Sequence, residues 1–126
     1  MDVGLRIAWE GRVVDYTDRL RRLAINDPRF VNEVFGGPGA ASEELDPKTL
    51  ALVRLAALVA VGGSVPSYGA LADAALDAGA TAAQIVDVLV GVARVVGQPR
   101  VVAAAPQLGM ALGYEINAAL ESPSGA

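Results

Sequence analysis

The chain is 126 residues long, which suits one domain around one core. Apolar residues make up 53% of it and charged residues only 19%, more apolar surface than a domain this small can bury, so a homo-oligomer is expected. Ten Lys and Arg against 14 Asp and Glu give a net charge of −4, which argues against a nucleic-acid or anionic-membrane surface. The absence of Cys and His excludes disulfides, thiol catalysis, Cys-ligated metal and histidine acid–base chemistry, and no metal or cofactor is called for.

Taken in chain order, Met1 to Trp9 contains Asp2 and Arg6 and lacks the apolar stretch of a signal peptide, so a cytoplasmic protein is expected. Residues 15–25 place Tyr16, Leu20 and Leu23 near one face, with Asp18, Arg19 and Arg22 elsewhere, and predict an amphipathic helix. Asp27-Pro28 supplies a cap and a first-turn proline for a second short helix through Val34, with Phe30, Val31 and Val34 as its buried stripe. Gly36-Gly37-Pro38-Gly39 ends that helix and begins a loop to about Glu44.

Asp46-Pro47 repeats the cap-and-proline start. The helix it opens runs to Val61, stops at Gly62-Gly63, and is apolar nearly all round, which predicts a central position. At 50–61 the apolar run is too short to span a bilayer and carries Arg54. Ser64, Pro66 and Ser67 open the next helix, which closes at Gly79. Thr81 with Gln84 reads as a capping box before the helix at 85–96. Its valines suit a strand on propensity, but length and caps favour helix. Gly97 and Pro99 break it, and 100–104 with 106–120 read as one kinked helix or two, because Pro106 removes a backbone donor. The tail at 121–126 is expected to be disordered. About six helices with short connections predict an all-α bundle, organised as an N-terminal extension over 1–44 and a helical core over 45–120.

The order of these signals over 45–97, from Leu45-Asp46-Pro47 through the glycine-terminated helices to Thr81-x-x-Gln84, resembles the carboxymuconolactone decarboxylase and alkyl hydroperoxidase D-like superfamily. That resemblance implies a bundle of the alkyl hydroperoxidase D-like type and assembly as a trimer or a dimer of trimers. It also implies where reactive groups would sit. The peroxidase branch carries a Cys-x-x-Cys at the start of the site helix, where Ser64 and Ser67 stand here, and a histidine where Leu71 stands. Its upstream glutamate falls on Leu52. The decarboxylase branch carries histidines at the positions of Leu71 and Gly91. A serine hydroxyl lacks the near-neutral pKa that makes a thiolate nucleophilic, and proton delivery to an enolate needs a titrating group. Neither parent activity is therefore expected.

The residues left over each have a structural and a functional reading. Ser64 or Ser67 is expected to cap the site helix, with Pro66 setting the turn; in the functional reading both line a pocket. Tyr68 is either a core tyrosine or a hydrogen-bond donor to a ligand. Arg54, Asp87 and Arg94 interrupt apolar helices and must meet an opposite charge, an interface or a pocket. An interhelical or intersubunit ion pair is the simpler outcome, although Arg54 and Arg94 beside a cavity would suit a carboxylate. Asp73 and Asp77 read as a solvated face, and the Gly-rich runs as turns, since they lack the Gly-Lys-Ser/Thr of a phosphate loop. Two functions remain open: a small-molecule-binding or assembly protein, and a divergent cofactor-independent enzyme acting on a small cyclic or carboxylate substrate.

Overall fold

The computed structural model describes residues 16–36 and 44–114. The chain divides into two compact units, Met1–Ser42 and Glu43–Ala126.

In the first unit, residues 16–24 (α1) and Pro28–Phe35 (α2) are helical. Asn26 ends α1 with a positive φ of 56°, and the Asn26 and Asp27 amides return to the Leu23 and Arg22 carbonyls. That is a Schellman turn with asparagine in the left-handed position. Asp27 then caps α2, accepting from the Arg29 amide at 3.0 Å. Asp18 pairs with both Arg21 and Arg22 on the surface of α1. The expected buried stripes do not form: Tyr16, Leu20 and Leu23 are exposed, and α2 buries no residue. Amphipathic spacing selects which face could be covered, but nothing in the local sequence supplies the cover.

The second unit is a four-helix arrangement of α3 (Pro47–Val61), α4 (Val65–Asp77), α5 (Ala82–Val96) and α6 (Gln98–Ala111). Among the described residues there is no strand, and the fold is all-α, as its caps and periods predict. Each of the first three begins on a side-chain cap. Asp46 accepts from the Thr49 amide at 2.7 Å, Ser64 from the Ser67 amide, and Thr81 and Gln84 complete a reciprocal capping box. The hairpins α3–α4 and α5–α6 each fold on a glycine, Gly62 (φ 84°, ψ 147°) and Gly97 (φ 89°, ψ 156°). This region of backbone space is essentially closed to other residues. Around the bundle the order is α3, α4, α6, α5, with the diagonal pairs touching least.

The core is built from one stripe of each helix: Ala51, Leu55 and Val59; Tyr68, Ala72 and Ala75; Ile85 and Leu89; Ala104 and Leu108. Alanines line the facing sides of α4 and α6, so the two backbones can approach closely. α3, apolar nearly all round and expected to be central, turns one face to the core, while Val53, Arg54 and Val61 are exposed. In a ring of four helices each helix buries only its inward face.

The last helix also differs from expectation. It starts at Gln98, not Arg100, and runs unbroken through Pro106 to Ala111. Pro106 withdraws an amide from the Val102 carbonyl, and Val102 lies on the exposed side of α6, where water can replace it. Gly79 (φ 99°) and Gly113 (φ 82°) close α4 and α6 in further Schellman turns, with the Ala80 amide on the Ala75 carbonyl and the Tyr114 amide on the Gly109 carbonyl. The readings at 1–15, 37–43 and 115–126, the tail among them, lie outside the described residues.

Candidate functional site

The start of α4 is the place to look, because three elements converge there. Ser64 has an extended backbone (φ −92°, ψ 165°), and its hydroxyl lies 3.1 Å from that of Ser67 and 3.5 Å from the Ser67 amide. Ser64 is thus the N-cap, and the two hydroxyls are engaged with each other at an exposed turn. One turn on, Tyr68 is buried to 1%. Among the described residues its hydroxyl has no hydrogen-bond partner, and burial pushes its pKa up, a shift partly opposed by the nearby positive charge of Arg100.

Arg100 is the residue that sequence reasoning missed. It stands in the first turn of α6, and its Nη1 donates to the Val61 carbonyl at 3.2 Å, across 39 residues of sequence. That carbonyl is one of the unpaired acceptors at the end of α3, whose own last turn holds no basic residue. Arg100 therefore supplies from a neighbouring helix the cation that favours a helix C-terminus. The only local signal was its place just after Gly97-Gln98-Pro99, which sets it in the first turn of a helix without revealing a partner.

The structure does not bring the other sequence candidates to this corner as a pocket. Arg54 and Arg94 are exposed and form no ion pair among the described residues, and the same holds for Asp87. Asp73 and Asp77 are exposed, as a solvated face requires. At the positions where the resemblance places reactive groups, Leu52 and Leu71 are half-buried and pack against the core, while Gly91 is exposed. Among the described residues no acid or base hydrogen-bonds to Ser64 or Ser67 to activate a hydroxyl, which nucleophilic catalysis by serine needs.

A concave site lies elsewhere. A groove of about 440 Å³ opens between α5 and α6, lined by Ala82, Val86, Leu89, Ala105, Leu108 and Gly109, with Leu112 and Tyr114 at its far end. Its lining side chains are aliphatic apart from the phenol of Tyr114. Because α5 and α6 turn back at Gly97, the groove extends towards the start of α5 and the end of α6, away from the hairpin end that holds Arg100. Neither serine, Tyr68, Arg54 nor Arg94 lines it. Sequence reasoning did not anticipate this groove.

An all-α unit of paired helical hairpins, with a Ser-x-x-Ser at the N-terminus of one helix and an apolar groove between two others, defines a helical scaffold without a thiol or imidazole centre. The family model for the carboxymuconolactone decarboxylase family matches residues 28–108, well over half of the chain, and the chain belongs to that family. The match is wider than the 45–97 stretch that carries the sequence resemblance, taking in α2 and most of α6. No curated protein and no solved structure matches the chain significantly. No helix among the described residues is long and apolar enough to cross a membrane.

Proposed function

We propose that this family member binds a small apolar molecule in the α5–α6 groove and does not catalyse the family's reactions. The groove itself carries the reading. Its volume falls in the range of roughly 300–1,000 Å³ usual for small-molecule sites, and its lining offers contact area with one hydroxyl to orient a ligand. The lost reactive positions support the same view, since Leu52 and Leu71 serve as packing and the two serines serve as a helix start. We take the chain to work as a homo-oligomer, a trimer or a dimer of trimers, which would cover part of the exposed valine surface at Val61, Val90, Val95 and Val102.

Native mass spectrometry of freshly purified protein, followed by the same sample denatured, tests the groove. A small-molecule adduct that disappears on denaturation, and is absent from an Ala105→Leu variant with unchanged helicity, is the expected result. A clean oligomer with no adduct, together with hydrophobic-dye binding that Ala105→Leu leaves unaltered, would count against it.

A second reading rests on the contact between the two serine hydroxyls beside Arg100. In that reading a divergent cofactor-independent enzyme uses Ser64, Ser67 and Tyr68, with Arg100, and not Arg54 or Arg94, receiving a substrate carboxylate. Turnover of a small cyclic acid, abolished by both Tyr68→Phe and Ser67→Ala, would favour it over binding alone.

A further inference from the structure

One face of α5 carries a pattern that neither the core nor the groove explains. Beyond the exposed first turn of this helix, with Ala82 and Gln84, the exposed positions Ala83, Val86, Asp87, Val90, Gly91, Arg94 and Val95, with Gln98 just beyond, form a single stripe along its length. Val90 is 69% and Val95 86% exposed, large values for β-branched apolar side chains. Within this stripe sit an acid and a base, Asp87 and Arg94, neither paired among the described residues. They stand seven positions apart, about 10 Å along a helix, too far to pair with each other.

The stripe is complementary to itself when reversed. The midpoint between Val90 and Gly91 lies equally far from Asp87 and Arg94, and equally far from Val86 and Val95. We propose that α5 packs antiparallel against α5 of a second copy, about a two-fold axis through that midpoint. Asp87 of each copy then meets Arg94 of the other, Val86 meets Val95, and Val90 sits against Gly91. An isologous contact requires such a self-complementary patch, and an opposed charge pair at each end fixes its direction and register. Gly91 provides the close approach: a Cβ there would meet nothing within 4 Å in its own chain, so the space above it is open. A parallel pairing would set Asp87 against Asp87 and Arg94 against Arg94, which the charges disfavour.

This inference rests on the oligomer reading and refines it. An isolated cyclic trimer contains no two-fold axis, whereas a dimer of trimers requires one. The α5 seam therefore selects an even-numbered assembly. Val86 belongs both to the seam and to the groove lining, so the two share one wall.

A charge-reversal cycle on the full chain tests it, read by light scattering and sedimentation velocity, with circular dichroism as the folding control. D87R and R94D should each weaken association about tenfold or more, because each reversal sets like charges together at both ends of the seam. The double variant D87R/R94D should recover the wild-type assembly, since the pairs are restored with their signs exchanged. Gly91→Gln should raise the melting temperature of the chain, by replacing an exposed helix glycine, and yet weaken association. A wild-type chain that stays monomeric overturns both the seam and the oligomer reading. An assembly whose size neither single reversal changes overturns the seam alone, whereas the seam predicts that each reversal halves it. Dissociation by the single variants without recovery in the double variant overturns the antiparallel register.

Discussion

Arg100 binds the Val61 carbonyl at 3.2 Å, and the same guanidinium lies 2.9 Å from where a Cβ on Gly62 would stand. The first turn of α6 thereby closes the last turn of α3, and the two glycine-folded hairpins are tied at their common end. This tie is an interaction between elements that neither hairpin would possess alone.

Replacing Gly62 by alanine should be costly through its backbone. The φ of 84° with ψ of 147° is a conformation that costs a non-glycine residue about 1–3 kcal/mol, while the new methyl would push the flexible Arg100 guanidinium off the Val61 carbonyl at little further cost. Arg100→Ala alone should cost less, about 0.5–1.5 kcal/mol, since the residue is exposed and its hydrogen bond competes with water. The two should not add. The methyl has already displaced the guanidinium, so urea denaturation of the double variant should show less destabilisation than the sum of the singles.

Tyr68 makes the alkaline limb of stability its own. Burial raises its pKa above the ordinary value of 10.0, despite the opposing charge of Arg100. A group whose folded pKa is raised stabilises the fold fully below its unfolded value, and that contribution is lost as pH climbs through the folded value. Stability should therefore fall above about pH 10. In Tyr68→Phe that alkaline loss should shrink, and the most alkaline step of the tyrosine absorbance titration should vanish, while stability at neutral pH changes little because the hydroxyl has no partner to lose.

Asp46 produces the opposite sign at the acid end. Hydrogen bonds from Thr49 hold its carboxyl below the usual 3.8, so its contribution is present above about pH 4 and is lost as pH falls through the lower folded value. Asp46→Asn keeps a capping acceptor but removes the titration. The variant's melting temperature should fall less steeply on acidification than that of the wild type, measured between neutral pH and about pH 3.

How far such features can be read from sequence depends on the distance over which they are determined. Asp46, Ser64 and Thr81 announced their helices because a cap and the amide it serves are at most three residues apart, and Gly62 and Gly97 announced the hairpin turns for the same local reason. Exposure was another matter. The apolar stripes of α1 and α2, and the outer side of α3, follow the expected periods, but covering them is a tertiary event. Arg100 was illegible because its partner is a backbone carbonyl 39 residues away, and a carbonyl has no residue type to recognise. The groove escaped notice because it is made by what α6 lacks, large side chains at Ala105 and Gly109. Pro106 left one kinked helix or two open on sequence, and the structure has one, with the freed Val102 carbonyl on the exposed side of α6.

The serine pair allows a direct trial of whether chemistry was lost with two atoms or with the whole surroundings. Ser64 and Ser67 hold their hydroxyls 3.1 Å apart, close enough that cysteines at both positions could form a disulfide of about 2.05 Å with a small side-chain adjustment. A thiol at a helix N-terminus also has a lowered pKa, so the double variant S64C/S67C should oxidise readily. Consumption of an alkyl hydroperoxide should nevertheless remain at the rate of a simple thiol. Leu71 and Leu52 offer no proton donor or acceptor at the positions where the peroxidase branch resembled by this chain places its histidine and glutamate. Adding Leu71→His and Leu52→Glu should raise the rate by about 10²-fold or more if the bundle still presents those positions to the pair, the usual scale of a positioned acid or base. Rapid turnover by S64C/S67C alone would show that the two hydroxyls, and not the missing relay, hold the scaffold silent.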